Sequence, residues 1–322
     1  MAETILVTGA AGFIGSHLCH RLLSDGHQVV GVDNLSDYYD IRLKRDNLGG
    51  LIENDRFVFH ERSLNDIDLA AVLEGVTVVF HQAAQAGVRA SWGKQFEIYI
   101  DANIRATQNL LEAVKEHPLR RFVFAGSSSV YGETSQLPMC ESHPTRPVSP
   151  YGVTKLSAEN LCLLYRKNYQ VPVVCLRYFT VYGPRQRPDM AFHHFLRTAR
   201  RGEPLAVFGN GTQTRDFTFI DDIVEANLLA MVYPGDESVF NIGGGSRVAL
   251  NRVLDILQDL CGERFEIHYQ EACRGDVTHT YADIRLAAKE LGYSPRVSIG
   301  DGLARQCEWF NQMAKKFGVL KG

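Results

Sequence analysis

The sequence predicts an α/β protein in which a doubly wound parallel sheet is followed by a smaller C-terminal α/β lobe. Short, almost uncharged apolar runs alternate with amphipathic stretches, and buried parallel strands have such runs because helices cover both faces of their sheet. The runs interpreted as strands are residues 5–7, 28–32, 57–59, 76–80, 122–125 and 173–176. The helical patterns that connect them include residues 15–24, 103–116 and 151–168. Strands that are joined by crossover helices pair in parallel.

The composition of the chain changes after Leu176. Residues 177–212 are rich in arginine, proline and glycine, and the regular alternation of strands and helices ends there. Further helical patterns occupy residues 191–201, 221–233, 250–261 and 284–291. One strand-like run occupies residues 239–242. We therefore expect a first domain over residues 1–176 and a second lobe over 177–322, with the chain crossing back to the sheet near 216–242.

Length and charge narrow the functional classes. The 322 residues, of which 45% are apolar and 22% charged, are enough for two ordinary domains. Lysine and arginine total 34 against 37 acidic residues, so the chain lacks the basic excess that nucleic-acid-binding surfaces need. Apolar runs stay well below the roughly 18 residues that span a bilayer. We therefore expect neither nucleic acid nor a membrane among the partners.

The seven cysteines are scattered, without a C-x-x-C pair or a Cys/His cluster at zinc spacing. This pattern indicates reduced, mostly buried thiols, and it predicts no metal site. The residues before Ile5 include no basic segment of the kind that begins a signal peptide. We therefore expect a cytoplasmic protein.

Three glycines lie between the first strand and the first helix. Gly9, Gly12 and Gly15 have G-x-x-G-x-x-G spacing, which permits a tight turn and lets the backbone approach a pyrophosphate. The helix N-terminus adds free N–H groups and a partial positive charge. Asp33, at the end of the second strand, can accept hydrogen bonds from ribose hydroxyls and would repel a 2′-phosphate. The sequence therefore predicts a Rossmann-like domain that binds NAD rather than NADP.

A tyrosine and a lysine lie four positions apart at the start of a predicted helix. Tyr151 and Lys155 share one helix face. A free tyrosine has a pKa of about 10 and is a poor base at neutral pH, but a nearby ammonium and the positive nicotinamide ring both favour the phenolate. The strand at 122–125 ends in a serine-rich segment, and ligands bind at the carboxyl ends of parallel strands. We therefore expect Ser127 to hydrogen-bond the substrate oxygen and to relay its proton to Tyr151.

Taken in order, these motifs resemble the extended short-chain dehydrogenase/reductase family and, within it, the nucleotide-sugar epimerases. The resemblance covers essentially the whole chain. The further segments that carry it are residues 81–84, 130–132, 176–185, 208–211, 214–217, 241–243 and 274–276. Two longer segments, 84–92 and 183–192, are most similar to those of UDP-glucuronate 4-epimerases.

The resemblance implies an NAD-dependent 4-epimerisation of a UDP-sugar. The Tyr151 phenolate would take the proton of the sugar O4–H with help from Ser127, while the C4 hydride passes to NAD. The 4-keto sugar would then swing over and receive the hydride on its opposite face, so that NAD stays tightly bound. Ser128 could share or replace the role of Ser127.

The remaining cofactor contacts also follow from the resemblance. Besides the three glycines, Asp33, Tyr151 and Lys155, the positions that match cofactor-lining residues of the family are Phe13, Ile14, Asn34, Ser63, Leu64, Ala83, Ala84, Gln85, Asn103 and Phe179. Ser63 departs from the aspartate that is usual in the adenine-contacting segment.

The same resemblance implies a set of contacts to UDP. Arg215 and Arg274 match pyrophosphate ligands, and Asp276 matches a ribose ligand. Phe208 matches a contact on the uracil side, and Met190 is a further substrate contact.

Another set of residues is expected around the sugar. Arg89 and Arg185 would add positive charge that suits a uronate carboxylate, although Arg89 could instead be a structural ion-pair partner and Arg185 a phosphate ligand. Relatives that dehydrate or decarboxylate the sugar have acidic residues just before Val-Tyr-Gly, where this chain has Ser128 and Ser129. We expect Ser128 and Thr180 to hold the carboxylate in the ring plane, where its bond to C5 is not aligned with the carbonyl π system.

UDP-glucuronate, converted to UDP-galacturonate, is therefore the expected substrate. UDP-glucose and UDP-N-acetylglucosamine are the alternatives, because they differ only at C6 and C2. A net oxidoreductase and a non-catalytic NAD-binding protein of the same fold are rival classes, but the latter typically lacks the tyrosine or the lysine. Family members pair through the helices at 103–116 and 151–168, so a homodimer is expected.

Overall fold

A computed structural model describes residues 2–271 and 275–318 of the chain. The strands are β1 (Thr4–Thr8), β2 (Gln28–Asp33), β3 (Phe57–Glu61), β4 (Val78–His81), β5 (Arg121–Ser127), β6 (Val173–Tyr178), β7 (Thr180–Tyr182), β8 (Leu205–Phe208), β9 (Thr214–Phe219), β10 (Val239–Ile242), β11 (Arg247–Ala249) and β12 (Ile267–Gln270). The helices are α1 (Phe13–Ser24), α2 (Ile41–Asn47), α3 (Leu69–Val72), α4 (Phe96–Tyr99), α5 (Ala106–Val114), α6 (Pro150–Tyr169), α7 (Ala191–Arg200), α8 (Ile220–Val232), α9 (Leu250–Cys261), α10 (Arg285–Leu291) and α11 (Ile299–Phe317). None of these helices, in the part of the chain described, is long and apolar enough to cross a membrane.

The central sheet contains seven parallel strands in the order β10-β6-β5-β4-β1-β2-β3. The strand order reverses between β1 and β4, and a crevice opens at such a point on the carboxyl side of the sheet. Each strand-like run predicted in the sequence coincides with one of these strands. The predicted doubly wound, Rossmann-like α/β fold is therefore confirmed.

Alternate residues of β1 fill two separate cores. Ile5 and Val7 are buried in the core beneath α1 and α8, whereas Leu6 is buried in the core beneath α5 and α6. Successive side chains of a strand point to opposite faces of its sheet, so a strand covered on both sides needs an apolar residue at every position. This requirement explains the unbroken apolar runs in the sequence.

After β6 the chain leaves the central sheet and later returns to it. α8 packs against α1, β5 and β6, and β10 then pairs in parallel with β6. The smaller lobe contains the sheets β11-β9-β7 and β12-β8, together with α7, α9 and α11. Its loops are held over the carboxyl ends of β5 and β6.

One predicted helix differs from its expectation. The sequence predicts a single helix over residues 103–116, but Ile100–Arg105 is π-helical and α5 begins at Ala106. The Thr107 hydroxyl donates to the carbonyl oxygen of Asn103 at 2.7 Å, which competes with the regular helical hydrogen bond. Such wide turns are frequent at functional sites.

Candidate active site

A cavity of about 1000 Å³ separates the carboxyl ends of β5 and β6 from the smaller lobe. Ligand pockets typically have volumes of about 300–1000 Å³, so this cavity suits a large ligand. The predicted site residues that line it are Phe13, Ile14, Arg89, Ser127, Ser128, Tyr151, Phe179, Thr180, Met190, Phe208, Arg215 and Asp276. The structure thus brings residues from both halves of the chain to one space.

The turn between β1 and α1 forms a backbone cradle beside the cavity. Gly9 has φ of +71°, and a Cβ on it would lie 2.8 Å from the backbone nitrogen of Ala83. A Cβ on Gly15 would overlap the carbonyl oxygen of Gly9. Gly12 precedes α1 and provides no capping side chain, so the helix N-terminus is open to an anion. These features fit a dinucleotide pyrophosphate.

Asp33 is buried at the end of β2, with its carboxylate fixed by the backbone. Its two oxygens accept hydrogen bonds from the amides of Ala11 and Leu35, at 3.1 and 2.8 Å. The buried Lys44 ammonium lies 3.9 Å from the carboxylate, and burial lowers the pKa of Lys44 while Asp33 opposes that shift. Sequence reasoning missed Lys44, which partly offsets the charge that would repel a 2′-phosphate.

The predicted cofactor residues that do not line the cavity form this cradle or lie around it. They are in the turn between β1 and α1, at or after the carboxyl ends of β2 to β4, on the π-helical segment and on α6, and are Gly9, Gly12, Gly15, Asp33, Asn34, Ser63, Leu64, Ala83, Ala84, Gln85, Asn103 and Lys155. The Asn103 side chain accepts from the amide of Gln85 at 2.7 Å and donates to the hydroxyl of Thr154 at 2.9 Å. Asn103 therefore ties the loop after β4 to α6.

The catalytic candidates come together where β5 ends and α6 begins. Ser149 caps α6 by accepting from the amide of Gly152 at 3.1 Å, and Pro150 occupies the first helical turn. The Ser127 hydroxyl is hydrogen-bonded to Tyr151. Lys155, one turn further along α6, is 3% exposed, and its ammonium lies 4.4 Å from the centroid of the Phe124 ring.

The pKa of Tyr151 depends on burial and on two neighbouring groups. Burial raises the pKa of Tyr151, and this shift is opposed by the Ser127 hydrogen bond and by the positive charge of Arg187. Burial also lowers the pKa of Lys155 to about 8. The Lys155 ammonium lies against the Phe124 ring, and its predicted effect on the pKa of Tyr151 stays a prediction. Arg187 is a cation of the described residues whose charge lowers that pKa.

Arg185 and Arg187 point to different places. Arg185, which has φ of +65°, donates to the ring nitrogen of His20 on α1 at 3.1 Å and does not line the cavity. Arg187 does line the cavity. Sequence reasoning chose the first arginine of the R-Q-R segment and missed the second. The two lie in an irregular loop, where no periodicity indicates which side chain faces inward.

An ion pair lies at the end of the cavity near Phe208. Arg89 donates to the Asp276 carboxylate at 2.7 Å, and its guanidinium lies 4.2 Å from the centroid of the Phe208 ring. The Arg215 guanidinium donates to the carbonyl oxygens of residues 214, 277 and 278. Arg89 thus contacts two predicted nucleotide ligands, as the ion-pair alternative expects. Arg274 lies outside the described residues.

The wall of the cavity at the ends of β5 and β6 carries hydroxyl side chains. Ser128 and Ser129 both line the cavity, as does Thr180 on the neighbouring strand. In the described part of the chain, no three His, Cys, Asp or Glu side chains converge in a way that could hold a metal ion. The wall therefore offers hydroxyl groups and the guanidinium of Arg187 to a ligand.

Comparison with known proteins agrees with this geometry. The family described as "NAD dependent epimerase/dehydratase family" matches residues 5–243. Two relatives are the UDP-glucose epimerase YtcB of Bacillus subtilis, itself uncharacterised, and a UDP-glucuronate 4-epimerase of Thermodesulfobacterium geofontis. The first is 46% identical over 96% of this chain and 98% of its own length. The second is 39% identical over 98% of both chains.

A solved structure matches the whole fold. It is the UDP-glucuronic acid 4-epimerase from Bacillus cereus in complex with UDP-glucuronic acid and NAD, with a TM-score of 0.93 and 44% sequence identity. The match covers 97% of this chain and all of that one.

Proposed function

The chain belongs to the NAD dependent epimerase/dehydratase family, and from this premise we propose that it interconverts UDP-glucuronate and UDP-galacturonate by inversion at C4. One observation carries the proposal. The hydrogen-bonded Ser127 and Tyr151, the hydroxyls of Ser128 and Thr180, and the guanidinium of Arg187 all face one cavity. That set can remove a hydroxyl proton and hold a carboxylate, and the Asp189 carboxylate that lines the same cavity is held by Arg187.

NAD is the cofactor that the cradle fits. The backbone around Gly9, Gly12 and Gly15 would hold the pyrophosphate, and the Asp33 carboxylate would accept from the adenosine ribose. When bound, NAD supplies the acceptor and the donor for the hydrogen on C4. We also assign the predicted contacts Phe13, Ile14, Asn34, Ser63, Leu64, Ala83, Ala84, Gln85, Asn103, Lys155 and Phe179 to this cofactor site.

Tyr151 is the proposed base for the sugar O4–H. A buried tyrosine resists ionisation, so its phenolate needs hydrogen bonds and positive charge nearby. Ser127 supplies the hydrogen bond and Arg187 the charge. Ser127 also bridges from the strand end to the sugar hydroxyl, which gives the proton a short path to Tyr151.

The uronate carboxylate is the proposed partner of Ser128, Thr180 and Arg187. Oxidation at C4 makes a β-keto acid, which loses CO2 when the bond between C5 and the carboxylate is aligned with the carbonyl π system. Hydroxyls that hold the carboxylate in the ring plane oppose that alignment. This role for Arg187 replaces the one that sequence reasoning gave to Arg185.

The nucleotide is proposed to occupy the end of the cavity near Phe208. Arg215 and Arg274 would contact the pyrophosphate, Asp276 the ribose and Met190 the substrate beside α7. The ion pair between Arg89 and Asp276 supports a closing role for Arg89 at this end rather than a contact to the carboxylate.

UDP-glucose remains the second candidate substrate. Arg187 is already paired with the carboxylate of Asp189, at 2.9 Å, so its charge is not fully available to a uronate. The relative from Bacillus subtilis is described as a UDP-glucose epimerase. A wall of hydroxyls accommodates a neutral CH2OH group as well.

A homodimer and a cytoplasmic location complete the proposal. Val153 and Leu164 are 45% and 54% exposed, and they lie about three helical turns apart on one face of α6. Exposed apolar side chains on one helix face suit a helix-bundle interface between two copies, which light scattering of Leu164→Arg would test.

The described cysteines are free thiols, which suits a reducing compartment. We assign residues 1–176, with the returning segment near 216–242, to NAD and the rest of 177–322 to the UDP-sugar.

The test is to incubate the purified protein, without added NAD, separately with UDP-glucuronate, UDP-glucose and UDP-N-acetylglucosamine, and to separate the epimers by chromatography. We expect UDP-galacturonate from the uronate, and a loss of about 10²–10⁴-fold in kcat for Tyr151→Phe. Conversion of the neutral UDP-sugars alone would overturn the proposal that UDP-glucuronate is the substrate. Wild-type behaviour of Tyr151→Phe would overturn the mechanism.

A further inference from the structure

The loop that carries Arg187 is fixed by its buried neighbour. The Gln186 side-chain oxygen accepts from the amide of His193 at 3.1 Å and from the side chain of Gln306 at 2.7 Å. Its side-chain nitrogen donates to the carbonyl oxygen of Val181 at 3.2 Å. The backbone at residue 187 is therefore anchored, but these bonds do not orient the long side chain that follows.

Asp189 supplies that orientation. Its carboxylate accepts from Nε of Arg187 at 3.0 Å and from Nη2 at 2.9 Å, which is the planar two-point arrangement. A guanidinium carries five N–H donors, so those not used by Asp189 stay available to a ligand. Both side chains line the cavity.

Tyr38 supports Asp189 from the cofactor side of the site. Its hydroxyl donates to the Asp189 carboxylate at 3.3 Å, and the same hydroxyl oxygen leaves no room for a Cβ at Gly87. The carbonyl oxygen of Gly87 in turn accepts from Tyr99 at 2.8 Å, and the Tyr99 ring packs edge-on at 6.3 Å from that of Tyr151. Tyr38 follows β2, so this contact chain joins the cofactor side to the sugar side.

We propose that Asp189, braced by Tyr38, is a positioning residue that aims Arg187 at the C6 group of the sugar and thereby sets the preference for a uronate over a neutral hexose. The inference rests on the proposed function. On this proposal, the preference for a uronate over a neutral hexose depends on directed hydrogen bonds, because the carboxylate of Asp189 offsets part of the charge of Arg187.

The effect of Asp189→Asn on the affinity for the uronate separates recognition by net charge from recognition by orientation, because the two change that affinity in opposite directions. Removing the carboxylate leaves Arg187 with its full positive charge, so a site that worked by net charge would bind the uronate more tightly. A site that works by orientation would bind it less tightly, because the guanidinium loses its two-point partner and gains rotational freedom.

The test measures the dissociation constants of UDP-glucuronate and UDP-glucose by calorimetry on the NAD-containing protein. The ratio of the two constants is compared among wild type, Asp189→Asn, Tyr38→Phe and Asp221→Asn. Asp221 forms an ion pair with Arg305 at 2.7 Å away from the cavity and serves as the control. We expect the preference for the uronate to fall roughly tenfold in Asp189→Asn and about twofold in Tyr38→Phe, as for the loss of one well-oriented charged hydrogen bond and of one weak one. The control should keep the wild-type ratio.

A double variant separates positioning from general damage. In an Arg187→Met background, Asp189→Asn should change the ratio no further, because it acts through Arg187. An unchanged or increased uronate preference in Asp189→Asn, or additive effects in the double variant, would overturn the inference while the proposed function stands. If Asp189→Asn does not fold, the Tyr38→Phe ratio decides. A wild-type protein that converts and binds only neutral sugars would overturn both.

Discussion

The cofactor cradle and the sugar wall of the cavity are built in different ways. The cradle comes from one strand–turn–helix unit, in which the backbone approaches its surroundings so closely that Gly9 and Gly15 have no room for a Cβ. The sugar wall consists of side chains from distant segments, among them Ser127 at the end of β5, Thr180 on β7 and Arg187 in the loop before α7. The cradle therefore depends on the absence of side chains, whereas the sugar wall depends on their orientation. Substrate preference can change at the wall while cofactor binding is kept.

The largest effect is expected at the cradle. Gly9 and Gly75 have almost the same φ, +71° and +72°, but only Gly9 has atoms where a Cβ would lie. We expect Gly75→Ala to lower the free energy of unfolding by about 1 kcal/mol through backbone strain alone. Gly9→Ala should lower the free energy of unfolding by about 1–3 kcal/mol more than Gly75→Ala, because the new Cβ collides with backbone atoms. It should also reduce the amount of NAD that copurifies with the protein by about tenfold.

Thermal melting and extraction of the bound nucleotide measure both quantities. Equal losses in Gly9→Ala and Gly75→Ala would show that close approach at the cradle is unimportant.

A smaller effect is expected on the pH dependence of kcat when the sugar wall is changed. Arg187 lowers the pKa of Tyr151, whose phenolate form is the proposed base. Removing that cation in Arg187→Met should therefore raise the pKa, and the acidic limb of the kcat–pH profile should move to higher pH by about half a unit or more. Arg89→Met removes another arginine of the cavity, one that is not among the groups acting on Tyr151, and serves as the control.

The pH profile of kcat for wild type and both variants measures the position of the acidic limb. A limb that stays in place in Arg187→Met, or that moves equally in Arg89→Met, would contradict the assignment of Arg187.

The smallest effect is expected at the ribose end of the cradle. Lys44 lies 3.9 Å from Asp33 and offsets part of its negative charge. In Lys44→Met the uncompensated carboxylate should discriminate against NADP about threefold more strongly, because a 2′-phosphate meets more repulsion. Titration of cofactor-stripped protein with NAD and NADP measures the ratio, and Lys44→Arg should keep the wild-type value. An unchanged ratio in Lys44→Met would mean that Lys44 does not tune cofactor choice.

The sequence predicts the central sheet and the cradle well, because both depend on local patterns. The apolar runs of β1 to β6 reflect burial on two faces. The glycine spacing marks the turn between β1 and α1, where Gly15 approaches Gly9 and Gly9 approaches the backbone at Ala83 after β4. Tyr151 and Ser127 were also predictable, since one begins a helix and the other ends a strand.

The sugar wall was only partly predictable. Arg185 and Arg187 flank Gln186, whose backbone position is anchored by Gln306 far along the chain, and no local pattern contains that contact. Lys44 and Asp189 matter through partners that tertiary packing brings near. Helical periodicity likewise does not reveal the π-helical turn before α5, where the Thr107 hydroxyl donates to the carbonyl oxygen of Asn103.

The central claim is that the chain inverts C4 of UDP-glucuronate with a hydrogen that never leaves the site. Its most direct test uses UDP-glucuronate deuterated at C4, in ordinary water and without added NAD, followed by NMR. We predict that UDP-galacturonate accumulates with the deuterium still on C4 and that no pentose forms. Product that has lost the deuterium to solvent, or a uronate that stays unconverted while UDP-glucose is epimerised, would contradict the account.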